Sequence, residues 1–252
     1  MGDIFPILLL NGRPAAGKSE IIDYLKKLPV EERIERFHVG EIQEFDDFPI
    51  LWERFEDDDI FERNGRSRLI SDRHFTYQGK EYEGYVFKDR FYWDFLIQRL
   101  CFDYEKAERQ NPGFGERTTA LIEFARGSEH GGWAQAYPQL SDPVLSRAVT
   151  LYIDVPWEES LRKNRRRYNP DKPDSILEHA LEDKKIEMMY KESDWEAFSG
   201  ADPDYLHVRD FRVPYAVFGN MPEITDQPEK LGAHLTECVA KLWTLRRGGG
   251  RP

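Results

Sequence analysis

Short apolar runs alternate with longer amphipathic stretches along the chain, the pattern of strands buried on both faces interleaved with helices. Ile7-Leu8-Leu9-Leu10 predicts a strand over residues 4–11, and Ile21, Ile22 and Leu25 predict a helix over residues 18–28. Residues 34–39 read as a second strand closing at Gly40. Residues 41–111 are rich in aromatics and acids without strand alternation, while Trp93, Leu96, Ile97, Leu100 and Tyr104 recur at helical spacing. That region is expected to be a mostly helical insertion. Pro112-Gly113-Phe114-Gly115 breaks the pattern ahead of a buried strand, Thr118-Thr119-Ala120-Leu121-Ile122, that ends at Glu123. A similar run, Ala148-Val149-Thr150-Leu151-Tyr152-Ile153, ends at Asp154. Ser175-Ile176-Leu177-Glu178 has the form of a capping box, opening a helix expected to run toward Trp195. Residues 213–218 give a last strand, and a final helix from near Pro228 stops at Gly248-Gly249-Gly250. The expectation is one α/β domain over residues 1–252, three layers α/β/α around a central parallel sheet.

One loop in this pattern carries chemistry. Gly12-Arg13-Pro14-Ala15-Ala16-Gly17-Lys18-Ser19 spells G-x-x-x-x-G-K-[ST] between the first strand and the first helix, the setting a phosphate-binding loop requires. A triphosphate needs several backbone amides converging on it, and only a loop of small residues lets the main chain come that close. Gly12 through Glu20 are therefore the nucleotide-cradling candidates. Lys18 is placed to neutralise β/γ-phosphate oxygens, and the Ser19 hydroxyl to hold Mg²⁺.

Composition narrows the partners. A net charge of −11 argues against a general nucleic-acid binder, and no apolar run approaches the length of a membrane span. Cys101 and Cys238 lie in amphipathic stretches with no C-x-x-C partner, and no targeting segment is visible. A cytoplasmic protein acting on a small molecule is expected. The six histidines show no metal spacing, so Mg²⁺ is the one metal implied.

Ligands of parallel sheets gather at the carboxyl ends of strands, which selects Glu123 and Asp154 by position. Glu123 can hold Mg²⁺ or take the proton of an attacking hydroxyl, and Arg126 can grip a substrate or pair with Glu123. Asp154 reads as a helix N-cap as readily as a ligand. Arg162, Arg165 and Arg166 fall on one helix face in Arg162-Lys163-Asn164-Arg165-Arg166-Arg167. Guanidinium groups on a closing segment over residues 157–173 would stabilise transferred charge and exclude water; otherwise they form a solvated basic face. Asp47 and Glu53 are acidic candidates just past the second strand, whereas Asp72-Arg73-His74 follows a polar run that makes a poor strand. Trp52, Phe55, Tyr77, Tyr82, Tyr85, Phe87, Tyr92 and Trp93 are core aromatics or the wall of an apolar pocket.

The loop at the start, the acid and Arg ending a central strand, and the Arg-rich segment after a later strand together resemble the P-loop nucleoside and nucleotide kinases. That resemblance implies a P-loop NTPase fold with an Arg-rich lid, ATP and Mg²⁺ as cofactors, a small-molecule acceptor, and a homodimer as an allowed arrangement. It assigns Lys18, Glu123, Arg126, Arg162 and Arg166 to catalysis and Ser19 and Glu123 to the metal. Arg165 and Asn220, the latter in an adenine-packing loop Gly219-Asn220-Met221-Pro222, go to the nucleotide. Residues 41–111 match no acceptor-binding segment of nucleoside, thymidylate, adenylate or shikimate kinases. The alternatives are a nucleotide-dependent switch or regulatory ATP-binding protein with slow hydrolysis, and a weakly active member serving a partner protein. Neither an N-K-x-D nor an L-S-G-G-Q motif is present.

Overall fold

The computed structural model describes residues 3–167 and 182–248, with Arg167 described by its backbone alone. In chain order the first half comprises β1 (Ile7–Gly12), α1 (Lys18–Lys27), α2 (Val30–Phe37), β2 (Glu41–Asp46), α3 (Asp47–Arg63), β3 (Ser71–Tyr77), β4 (Lys80–Phe87) and α4 (Phe91–Gln110). The second half comprises β5 (Thr118–Phe124), α5 (Gly132–Ala136), α6 (Asp142–Leu145), β6 (Ala148–Asp154), α7 (Trp157–Arg167), α8 (Asp183–Tyr190), α9 (Trp195–Ser199), β7 (Tyr205–Val208), β8 (Phe211–Gly219) and α10 (Pro228–Gly248).

Every residue of β1 is buried, and successive side chains leave a strand on opposite faces. Leu8 and Leu10 join an apolar cluster with α1, α2 and α10, whereas Ile7 and Leu9 join one with α4, α5, α6 and α9. A strand with a core on each side has no polar face, which is why its sequence is an unbroken apolar run. The fold is thus α/β, helices flanking a six-stranded sheet in the order β2-β5-β1-β6-β8-β7. All its neighbours are parallel except β7, which runs antiparallel to β8. A third apolar cluster, joining Phe55, Phe87, Trp93, Leu96, Ile186, Met189 and Tyr190, stands beyond the carboxyl ends of the strands.

Several expectations are corrected. Residues 34–39 do not form the second strand: Val30–Phe37 is helix α2, with Phe37 fully buried and His38 in the left-handed conformation closing it. Ile34 and Phe37 are a turn of helix apart, a spacing that a short run cannot distinguish from a strand. The second strand is the polar edge strand Glu41–Asp46, in which Phe45 alone is buried. Residues 41–111 are therefore not a helical insertion throughout, because β2 belongs to the main sheet and β3 and β4 form an antiparallel hairpin outside it. Asp72-Arg73-His74 lies within strand β3 of that hairpin. The expected last strand is longer, Phe211–Gly219, and carries β7 as an extra neighbour, so the sheet is mostly rather than wholly parallel. The capping box at residues 175–178, and residues 168–173 of the expected closing segment, lie outside the described residues. No helix of the described residues is long and apolar enough to cross a membrane.

A buried polar knot lies under the glycine loop. Asn11, fully buried at the end of β1, donates to Phe124 O at 3.2 Å and accepts from the Tyr137 hydroxyl at 2.6 Å. Tyr137 also meets Thr150 Oγ1 at 3.0 Å. Burial pushes the Tyr137 phenol far above its ordinary value, so it stays neutral and donates. Tyr137→Phe orphans the Asn11 oxygen and is expected to cost about 1–3 kcal/mol, read by urea unfolding. An unchanged unfolding midpoint would show that another donor replaces Tyr137.

Candidate functional site

The loop from Gly12 to Ser19 is set by backbone demands before any side chain acts. Gly12 has φ 151° and lies so close to β6 that a Cβ would sit 2.6 Å from Ile153 O. Gly17, at φ 117°, precedes α1, and a Cβ there would meet Asn220 Nδ2 at 2.8 Å. Only glycine fits both positions.

Three carbonyls in the middle of the loop are tied to protein groups. Arg13 O accepts from Ala16 N at 3.2 Å and Lys18 Nζ at 3.4 Å. Pro14 O accepts from Ser160 Oγ on α7 at 2.7 Å, and Ala16 O from Asn220 Nδ2 at 2.8 Å. The Arg13 guanidinium reaches away from the loop to the carbonyls of Tyr190, Lys191 and Val155. By contrast, the amides of Ala15, Gly17, Lys18 and Ser19 find no acceptor among the described residues. A loop with occupied carbonyls and open amides, at the start of a helix, attracts an anion.

Across from it, Asp46 ends β2 and Glu123 lies near the end of β5, paired in register on adjacent strands. Asp46 also starts α3, accepting from Phe48 N at 3.0 Å. Burial, then the neighbouring charges of Glu123 and Asp47, push the Asp46 carboxyl up to about 8. Burial raises Glu123 as well, against the pull of the nearby Lys18 charge, and its buried Oε2 has no hydrogen-bond partner among the described residues. Two desolvated carboxyls beside an ammonium hold protons that a cation would displace.

Lys18, Ser19, Asp46, Asp47, Glu123 and Arg126 all line one cavity of about 500 Å³. Its opposite wall is the third apolar cluster, presenting Phe55, Tyr85, Phe87, Trp93, Met189 and Tyr190. Of the aromatic candidates, Phe55, Tyr85, Phe87 and Trp93 thus reach the cavity, while Trp52, Tyr77, Tyr82 and Tyr92 do not line it.

The other candidates are placed differently. The Arg126 guanidinium, 2% exposed, already donates to Asp47 Oδ2 at 2.6 Å, Ala125 O at 2.7 Å and Trp93 O at 3.1 Å. It braces α3, β5 and α4 at the cavity edge. Arg162, Arg165 and Arg166 lie on α7 outside the cavity lining. Arg162 pairs with Glu159 at 2.7 Å and Glu223 at 3.2 Å, Arg165 with Asp183 at 2.7 Å, and Arg166 approaches Glu223 at 4.0 Å. Asn164 is the residue of α7 that reaches the cavity. Asn220 is fully buried, its amide shared between Ala16 O and Thr225 Oγ1 and its oxygen accepting from Ile224 N, so it is a latch for the loop. Glu20 stands in the first turn of α1 and Glu53 pairs with Arg54 on α3; neither lines the cavity. Asp154 caps no helix, since α7 starts only at Trp157, and its carbonyl accepts from Asn220 N. Arg73, on the hairpin, pairs with Asp59 and Glu62.

No protein-family model matches the chain, and no curated protein matches it. One solved structure, described as the crystal structure of APE1195, is similar at a TM-score of 0.39 and 15% identity, over 92% of this chain and 96% of that one. A likeness that loose carries no weight for the site.

Sequence reasoning passed over Asp46 and Lys185. Asp46 is hidden by the misplaced second strand, since the true strand ends at Asp46 and α3 begins at Asp47. Lys185 carries no sequence signal, because nothing distinguishes it from Lys184 beside it until the helix is placed.

The raised carboxyls make stability depend on pH with a definite sign. The folded protein keeps protons that the unfolded chain releases above about pH 4, so their stabilisation is present in acid and lost as pH rises through about 8. The melting temperature is expected to fall between pH 5 and 8.5. Asp46→Asn keeps an oxygen for Phe48 N and should reduce that fall by about 1 kcal/mol, or about 2–4 °C. Equal slopes in the two proteins would mean that Asp46 is ionised throughout.

Proposed function

We propose that the chain is a P-loop phosphotransferase, a kinase that moves the γ-phosphoryl group of ATP, with Mg²⁺, to a hydroxyl of a small acceptor. One observation carries the reading: Lys18 and Ser19, at the end of a loop with open amides, share one cavity with the Asp46 and Glu123 carboxyls.

The residues fit a divalent cation of the hard, oxygen-seeking kind. Ser19 supplies a hydroxyl, Asp46 and Glu123 supply carboxylates, and Glu123 Oε2 lacks a partner. No group of three or more His, Cys, Asp or Glu among the described residues is arranged to hold a metal alone, so a cation here shares oxygens with a bound phosphate. Bound Mg²⁺ supplies charge neutralisation to the phosphates. The loop amides and Lys18 orient the donor and offset its charge, and the Asp46–Glu123 pair takes the proton of the attacking hydroxyl. The same reading assigns Arg162 and Arg166 to the transferred group, which they reach only by giving up Glu159 and Glu223 for phosphate oxygens. The apolar far wall holds the acceptor and excludes water. A small acceptor, a cytoplasmic setting and no nucleic-acid or membrane partner belong to the same reading.

The test is Mg²⁺-dependent ADP release from ATP across nucleosides, nucleoside monophosphates, sugars, amino alcohols and aromatic hydroxy acids. Stimulation by one class supports the kinase, and Lys18→Ala should then lose about 10²–10³-fold in turnover with an unchanged fold. Glu123→Gln should keep nucleotide binding and lose transfer. A slow rate, flat across acceptors, would replace the reading with a nucleotide-dependent switch or regulator. Full turnover in Lys18→Ala would remove the loop from the active site altogether.

A further inference from the structure

The far wall of the cavity is apolar with one exception. Lys185, near the start of α8, lines it together with Phe55, Tyr85 and Met189. Its stem runs past Gly84, where a Cβ would sit 3.8 Å from Lys185 Cδ, and its ammonium donates to Tyr85 O and stands 5.7 Å from the centre of the Phe55 ring. One of three ammonium protons is thereby placed. No carboxylate of the described residues lies within ion-pair distance of it, whereas both neighbouring charged residues on the helix face, Lys184 and Glu187, are paired with each other. Glu182, on the approach to α8, is the one acid that raises its pKa, and burial prevails, bringing the ammonium down to about 8. At neutral pH it remains mostly charged, a half-buried cation with no carboxylate at ion-pair distance among the described residues.

A half-buried cation with two ammonium protons unplaced among the described residues gains from a ligand that brings the anion. The acids lining the cavity, Asp23, Glu44, Asp46, Asp47 and Glu123, come from α1, β2, α3 and β5, and two of them are already paired, Glu44 with Lys26 and Asp47 with Arg126. The geometry points to Lys185 as a second anion-recognising residue of the cavity, on the wall away from the glycine loop: the ligand has an apolar or aromatic body packed on Phe55, Tyr85 and Phe87 and carries one carboxylate- or phosphate-type group against Lys185. Calling that ligand the phosphoryl acceptor rests on the proposed function; its binding does not.

A binding experiment without turnover keeps the two apart. The full chain is titrated with 1-anilinonaphthalene-8-sulfonate, a fluorescent aromatic anion, and with N-phenyl-1-naphthylamine, its neutral counterpart. The wild type is expected to bind the anion at one site and more tightly than the neutral probe. Lys185→Met should weaken the anion about tenfold or more while leaving the neutral probe unchanged, and Lys185→Arg should restore it. Equal weakening of both probes, or of neither, would overturn the assignment. In the wild type, phenyl phosphate or phenylacetate should displace the anionic probe where benzyl alcohol does not, the better competitor naming the group recognised; displacement by all three alike would also overturn it. Retained probe binding in Lys18→Ala places the probe away from the glycine loop, and loss there overturns the Lys185 site. Failure of the kinase reading, seen as flat ADP release, leaves these results untouched.

Discussion

Everything at this site depends on where the loop carbonyls go. A backbone that is to offer its amides to a ligand must satisfy its carbonyls elsewhere, since buried peptide groups left unpaired are costly. Here Lys18, Ser160 and Asn220 take three of them, drawn from α1, from α7 and from the segment after β8. The loop is thus held by elements on both sides of β6, and Asn11, Tyr137 and Thr150 fix the strand that delivers it. The two glycines are what let the chain pass through so crowded a place.

The same crowding sets the electrostatics. Because β2 and β5 end side by side, Asp46 and Glu123 are brought together in the cavity wall, and partial burial outweighs the nearby lysine in raising both carboxyls. Arg126 spends its charge on Asp47 and on two carbonyls, so it stiffens the acidic end of the cavity and leaves Lys18 as the cation facing the carboxyl pair.

Much of this was legible in the sequence where a residue's role is local. The unbroken run Ile7 to Leu10 announced a doubly buried strand, the glycine spacing announced the loop, and Thr118 to Ile122 placed Glu123 at a strand end. What escaped depends on partners distant in the chain. The edge strand Glu41–Asp46 has one solvated side and one buried residue, so it looks like loop, and Ile34 could not be told from strand because a single helical turn has no period to read. Asn220 is intelligible only once Ala16 and Thr225 are seen beside it. The arginines of α7 do share a helix, and spacing brings Glu159 beside Arg162, but their direction is also set by Glu223 and Asp183, which no spacing rule brings near them.

The cavity has two walls of different descent in the chain. One is the central sheet and its glycine loop, whose residues are locked by register and by cores on both faces. The other is the hairpin β3–β4 with α3, α8 and the first turn of α4, joined to each other by their own apolar cluster and absent from the sheet. The strand register and the three partners of the loop carbonyls, Lys18, Ser160 and Asn220, come from outside the second wall. Evolution can therefore re-carve one half of the cavity while the other stays invariant, so that members of a lineage built on this plan would share the loop and differ in what they hold against it.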